Sequence, residues 1–153
     1  MITFRFYYIL VCLVGFLHFQ GCGSNMNSEG DLRLNDLDYY ETRGLNILVF
    51  SNWYNGMFSD SKMSGIEIIH HEVRTATNGD VRLSPTPEQW DPIPEFSERK
   101  VNKENNVIEA FLSYPAFGFA YVIKTEPVED GIVLSVHLDQ PVPEELEGRA
   151  GFN

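Results

Sequence analysis

The chain has 153 residues, of which 22 are acidic and 11 are basic, and its formal net charge is −11 at pH 7. A surface this acidic repels nucleic acid and anionic lipid head groups, so we exclude nucleic acid as a partner. The length is sufficient for one domain with a packed core, and both cysteines, Cys12 and Cys22, lie near the N-terminus, so the remainder contains no disulfide.

Residues 1–21 have the organisation of an export signal. Arg5 precedes the apolar run Phe6–Leu17, which is shorter than the ~20 residues that a membrane-spanning helix requires. The following Phe-Gln-Gly-Cys stretch resembles a lipobox, in which a bacterial lipoprotein is cleaved and acylated at its cysteine. We therefore predict that Cys22 carries lipid and anchors an exported chain on the periplasmic or cell-surface face of a membrane. The alternatives are plain secretion and a short anchor or buried segment.

Residues 22–44 are predicted to form a tether and an acidic segment that leads into the folded domain. The tether is rich in Ser, Asn and Gly, which is typical of flexible linkers. The pair Tyr39–Tyr40 is the expected start of a first strand. Residues 45–153 are predicted to form the folded domain.

Short runs rich in apolar, β-branched and aromatic residues predict strands throughout this domain. They are Leu45–Ser51, Gly65–Val73, Val107–Tyr114, Gly118–Thr125 and Ile132–Asp139, and Phe96–Lys103 is predicted to be a polar edge strand. Asn78–Gly79 lies between two further alternating segments and predicts a two-residue hairpin, because both turn positions require a positive φ. Residues 84–94 contain four prolines, which predict a long loop or an edge crossing. Turns are predicted at 104–106 and 129–131.

This series of short strands predicts an all-β fold, an antiparallel immunoglobulin-like β-sandwich, with a β-barrel as the alternative. Because successive side chains of a strand alternate between its faces, the last predicted strand has one apolar face. That face contains Ile132, Leu134, Val136 and Leu138. We expect it to lie against the core, with the other face wetter.

Two strands carry histidine next to acidic residues, which raises the question of a metal site. His70 and Glu72 share one face of a predicted strand, and His137 and Asp139 share one face of another. Four such ligands suit a metal only if the two strands are neighbours. The spacing alone gives this no support, so no metal and no cofactor are assigned.

Three aromatic residues, Trp53, Tyr54 and Trp90, lie in turn-like or loop-like segments. Flat rings on loops stack on the apolar faces of sugar rings, which makes these residues candidate glycan contacts. Packing at the ends of the sandwich is the alternative, since tryptophan is mostly buried. The sequence contains no serine-hydrolase, zinc-protease, P-loop or dinucleotide-binding pattern, so no catalytic residue is assigned.

Three stretches resemble the N-terminal region of exported, family 9-like glycoside hydrolases, which are related to cellulases. They are FSNWYNGMFSDSKMSGIEIIHH, VRTATNGDVRLSPTPEQWDPIP and LDQPVPEELEGRAGFN, within residues 45–153. In these enzymes an immunoglobulin-like β-sandwich precedes an (α/α) barrel, and the catalytic acid and base belong to the barrel. The resemblance implies a non-catalytic accessory module that supports a downstream catalytic domain, and a chain that is a fragment of a larger enzyme.

The expected function is therefore that of a membrane-tethered accessory module of a polysaccharide-degrading glycoside hydrolase. Its implied partners are the membrane, through the lipid anchor, a catalytic domain and a polysaccharide. The alternatives are a complete small surface lipoprotein that binds a glycan or a protein, and a small periplasmic enzyme.

Overall fold

The computed structural model describes residues 31–55, 61–63, 65–84, 92–129 and 131–153, with residues 53–55 and 61–63 described by their backbone. The predicted signal segment, Cys22 and Trp90 lie outside the described residues. Within the described ranges, none of the helices is long and apolar enough to span a membrane.

The described residues form β-strands joined by turns and two short 3-10 helices, Pro115–Phe117 and Glu144–Leu146. In chain order the strands are β1 (Arg33–Leu34), β2 (Tyr40–Thr42), β3 (Leu45–Val49), β4 (Trp53–Asn55), β5 (Ser61–Met63), β6 (Ile66–His70), β7 (Val73–Gly79), β8 (Val81–Leu83), β9 (Glu95–Asn102), β10 (Val107–Tyr114), β11 (Phe119–Val128), β12 (Gly131–His137) and β13 (Ala150–Phe152).

Two antiparallel sheets account for most of these strands. The first has the order β1-β2-β3-β6-β7, and the second has the order β12-β11-β10-β9. Two short ribbons accompany them, one formed by β4 and β5 and one by β8 and β13. Each large sheet is open: β1 and β7 are the edges of the first, and β12 and β9 are the edges of the second. The described strands therefore form no closed sheet, and the alternative of a β-barrel is wrong.

Strand β10 shows why these residues form a half-buried strand. Ile108, Ala110, Leu112 and Tyr114 are buried, and the residues between them are only partly buried, which is the two-residue period of a strand with one face on the core. The turn that precedes β10 ends at Asn106, whose φ of 59° is tolerated by asparagine. The predicted strand 107–114 and the predicted turn at 104–106 are both confirmed.

The core lies between the two large sheets. The first sheet contributes Tyr40, Ile47 and Val49, and the second contributes Ile108 and Ile123, all of which are at most 2% exposed. Apolar burial on this scale is the main force that holds the layers together. The molecule is an antiparallel all-β protein with a sandwich-like fold, which confirms the predicted fold class.

Polar side chains also join the two sheets. The Tyr40 hydroxyl donates to the Thr125 carbonyl oxygen at 2.8 Å and accepts from the Ile108 amide at 3.1 Å. The Arg99 Nε donates to the Val49 carbonyl oxygen at 2.7 Å. Tyr40 is fully buried and joins the two sheets. It lies on β2, so the first sheet includes two strands, β1 and β2, that precede residue 45.

The predicted hairpin at Asn78–Gly79 is wrong. These two residues end β7, and the chain then leaves the first sheet, because β8 pairs with β13 instead of with β7. The glycine serves a close approach: a Cβ on Gly79 would lie 3.0 Å from the Ile66 Cβ, and a Cβ on Gly65 would lie 2.5 Å from the Gly79 carbonyl oxygen.

The hairpin lies instead at His71–Glu72, which interrupts the predicted strand 65–73. Both residues have positive φ, 47° and 67°, as a two-residue turn between β6 and β7 requires. The His71 amide donates to the Gly44 carbonyl oxygen at 2.7 Å, and a Cβ on Gly44 would lie 2.6 Å from the His71 ring. The His71–Glu72 turn thus packs against the neighbouring turn between β2 and β3. The residue types His and Glu do not by themselves predict a turn at this position.

Candidate functional site

A buried carboxylate, Glu67, lies at the centre of a polar cluster on the first sheet. Its neighbours on β6, Ile66 and Ile68, pack into the core, so Glu67 faces the opposite side of the sheet. Glu67 is nevertheless only 3% exposed. A buried carboxylate must be paired or hydrogen-bonded to remain charged.

Three side chains satisfy this carboxylate. The Asn52 amide donates to Oε2, the Thr77 hydroxyl donates to Oε1 at 3.4 Å, and the Arg74 Nε forms an ion pair with Oε1 at 3.2 Å. We call Glu67, Asn52, Arg74 and Thr77 the Glu67 cluster. The Arg74 side chain is 59% exposed, so the cluster presents a guanidinium to solvent above a buried acid.

The Glu67 cluster adjoins two of the predicted glycan contacts. Asn52 directly precedes β4, which contains Trp53 and Tyr54 and pairs with β5. The backbone at Trp53 and Tyr54 is therefore a short strand, and not the turn or loop predicted for it. The third predicted aromatic, Trp90, lies outside the described residues.

The Glu67 cluster is not predicted from the sequence. The available signal was a single acidic residue, Glu67, flanked by isoleucines in the predicted strand 65–73. Two of its partners, Arg74 and Thr77, lie on β7, and Asn52 precedes β4. One sequence does not show that these segments meet Glu67.

The proposed metal-ligand pairs are not brought together. Glu72 lies in the hairpin turn and not on a strand face with His70. His137 is the last residue of β12, and Asp139 lies just beyond that strand. Strand β12 belongs to the second sheet, whereas β6, which contains His70, belongs to the first. The described residues contain no group of three or more His, Cys, Asp and Glu side chains that could hold a metal ion.

A second buried acid, Asp80, links β8 to the second sheet. The Tyr121 hydroxyl donates to the Asp80 Oδ1 at 2.9 Å, and the Val81 amide donates to the same oxygen at 2.7 Å. Burial raises the pKa of Asp80, while both hydrogen bonds and the charge of Arg82 oppose this rise. Burial and the neighbouring carboxylate raise the pKa of Tyr121 as well, so its hydroxyl remains a donor.

We expect Asp80 to make stability depend on pH. Its pKa in the folded state lies above the ordinary value of 3.8. At a pH between 3.8 and the folded-state pKa, the folded protein therefore binds more protons at Asp80 than the unfolded protein does. Its stabilising contribution is complete below pH 3.8 and is lost as the pH rises through the folded-state pKa. Urea unfolding across this range should show the free energy of unfolding of the wild type falling relative to that of Asp80→Asn as the pH rises. The exposed carboxylate variant Asp139→Asn is the control, and parallel curves for the wild type and Asp80→Asn would contradict the assignment.

A shallow groove of about 460 Å³ runs along the ribbon of β8 and β13 and contains two arginines, Arg82 and Arg149. Arg149 donates through Nε and a terminal nitrogen to the Ser84 carbonyl oxygen, at 3.2 and 3.0 Å, and through its other terminal nitrogen to the Glu145 carbonyl oxygen at 3.3 Å. Its guanidinium thus holds the C-terminal segment against β8. We assign the groove a structural role.

Comparisons with models of protein families, with curated proteins and with solved structures find no match to this chain.

Proposed function

We propose that this chain is a non-catalytic accessory module of an exported, membrane-tethered polysaccharide-degrading protein, and that it contacts glycan at the Glu67 cluster. The lipid on Cys22 would supply the tether. The catalytic acid and base would belong to a separate domain, as the resemblance to family 9-like glycoside hydrolases implies.

The observation that carries this proposal is that Asn52, which donates to Glu67, directly precedes the strand that contains Trp53 and Tyr54. Sugar-binding sites need a few fixed polar groups, which select hydroxyl positions, together with apolar or aromatic surface. The buried Glu67 holds Arg74 in place through an ion pair and Asn52 through a hydrogen bond. A guanidinium held in this way can donate to sugar hydroxyl groups at little further cost in conformational entropy.

The test is the affinity of the full chain, held in neutral phosphatidylcholine vesicles, for insoluble cellulose and xylan. We expect Trp53→Ala and Glu67→Gln each to weaken binding by about tenfold, which corresponds to about 1.4 kcal/mol. The matched control is Phe152→Ala, which removes a half-exposed ring from the ribbon of β8 and β13. Thermal unfolding of each variant identifies any that fail to fold.

Unchanged affinity in well-folded Trp53→Ala and Glu67→Gln would contradict the glycan contact. Equal losses in these variants and in Phe152→Ala would place the binding surface elsewhere. An absence of affinity for either polysaccharide in the wild type would leave the alternative of a surface lipoprotein with a protein partner.

A further inference from the structure

Strand β12 forms one edge of the second sheet. It pairs with β11 on one side, with Val136 opposite Ile123 and Leu134 opposite Thr125. Directly opposed residues in an antiparallel pair point to the same face. Since Ile123 and Thr125 are fully buried, Leu134 and Val136 point toward the core.

The described residues leave this core-facing row exposed. Leu134 and Val136 are each 39% exposed, and Leu138, just beyond the strand, is 41% exposed. The pairing with β11 gives this face the predicted direction, but the prediction that it lies against the core and that the other face is wetter is wrong, because Val133 on the other face is also 39% exposed. Apolar side chains that point inward and still meet water mark a surface that binds a partner.

The open edge also lacks the usual protection against strand pairing. Natural edge strands carry charged residues, prolines or bulges that prevent another strand from adding. The opposite edge of the same sheet, β9, contains Glu95, Glu98, Arg99 and Lys100. Residues 131–138 contain no charged residue and no proline.

Charge at the two ends of β12 indicates what kind of strand fits. Glu129 precedes it and Asp139 follows it, and both are exposed. In an antiparallel pair of two copies, the acidic end of one β12 would lie near the opposite acidic end of the other, where like charges are destabilising. Two chains that each carry a net charge of −11 would also repel.

We propose that the free edge of β12 binds an extended segment of another polypeptide as an added strand, and that this segment is apolar at alternate positions and basic at both ends. Its backbone would pair with the outward N–H and C=O groups of β12, as in other cases of strand addition. Its inward side chains would cover Leu134 and Val136, and its basic ends would pair with Glu129 and Asp139. This surface belongs to the second sheet and is independent of the Glu67 cluster on the first.

The experiment uses the full chain in neutral phosphatidylcholine vesicles and a synthetic eleven-residue peptide as the probe. The peptide alternates Ile or Val with Thr over seven positions and carries two lysines at each end, and its matched control has glutamates in place of the lysines. We expect the lysine-flanked peptide to bind at least tenfold more tightly and to slow amide hydrogen exchange at residues 131–138.

Two variants locate the binding. Val136→Lys should weaken peptide binding by about tenfold or more, since it puts a charge on the edge. Val73→Lys makes the same change at a 62% exposed valine on β7 and should leave binding unchanged. The exchange measurement on the wild type keeps the test decisive even if Val136→Lys fails to fold.

Three results would overturn the proposal. The first is peptide binding without protection at residues 131–138, or no binding. The second is equal affinity for the two peptides, which removes the basic partner. The third is a concentration-dependent dimer that protects residues 131–138 without peptide, which makes a second copy the occupant.

Discussion

Replacing Tyr40 by phenylalanine should lower the free energy of unfolding by about 1–3 kcal/mol, although it removes a single oxygen atom. That oxygen lies in the core, donates its single proton to the Thr125 carbonyl oxygen and accepts from the Ile108 amide, and the Thr125 hydroxyl and the Asn106 carbonyl oxygen are also within hydrogen-bonding distance of it. Phenylalanine would leave these groups buried without this partner. Because Thr125 and Ile108 belong to the second sheet and Tyr40 to the first, the loss also weakens the contact between the two sheets.

Chemical unfolding of the full chain, followed by tryptophan fluorescence or circular dichroism, measures this change. Tyr39→Phe is the matched control, because it makes the same chemical change at the adjacent, half-buried position. A Tyr40→Phe protein as stable as Tyr39→Phe would show that the hydroxyl does not join the sheets.

Replacing Leu146 by alanine should cost about 2–5 kcal/mol, the range found when a large buried side chain is truncated. Leu146 lies in the short helix Glu144–Leu146 and is fully buried in the core cluster. Its carbonyl oxygen accepts from the Arg149 amide at 3.0 Å, one residue before β13. The cavity should therefore also loosen the pairing of β13 with β8.

Amide hydrogen exchange in 150–152 should become faster in Leu146→Ala, in parallel with the lower midpoint of chemical unfolding. Leu37→Ala makes the same truncation at a residue that is 75% exposed and should change neither quantity. If Leu146→Ala lowered stability but left exchange in 150–152 at the wild-type rate, β13 would be held by β8 alone.

The periodic strands are the part of the fold that the sequence predicts well. The predicted strand 107–114 matches β10, and β9 and β12 each match their predictions to within two residues. Each of these strands is a short segment that adjoins predicted turn residues, and that signal is local. The turn at 104–106 was also predictable, because Asn106 is a residue type that tolerates positive φ.

The first half of the domain was predicted less well. The sequence places a hairpin at Asn78–Gly79, the favoured residue pair, whereas the structure has it at His71–Glu72. The glycine at 79 serves the close approach of β6 and β7, a requirement that local turn preferences do not contain. The candidate site was not predicted for a similar reason. Glu67 is recognised as part of a site only because Asn52, Arg74 and Thr77 contact its carboxylate in the folded protein.

The sequence by itself determined the all-β class, because alternation and turn residues act within a few positions of one another. Only the tertiary structure decided which strands pair, as in the ribbon of β8 and β13, whose partners lie far apart in the chain. It also decided that Tyr40 joins the layers, that Glu67 is buried, and that the described part of the chain leaves Leu134 and Val136 of β12 exposed. Each of these depends on contacts between distant segments, and a one-dimensional pattern does not specify which segments meet.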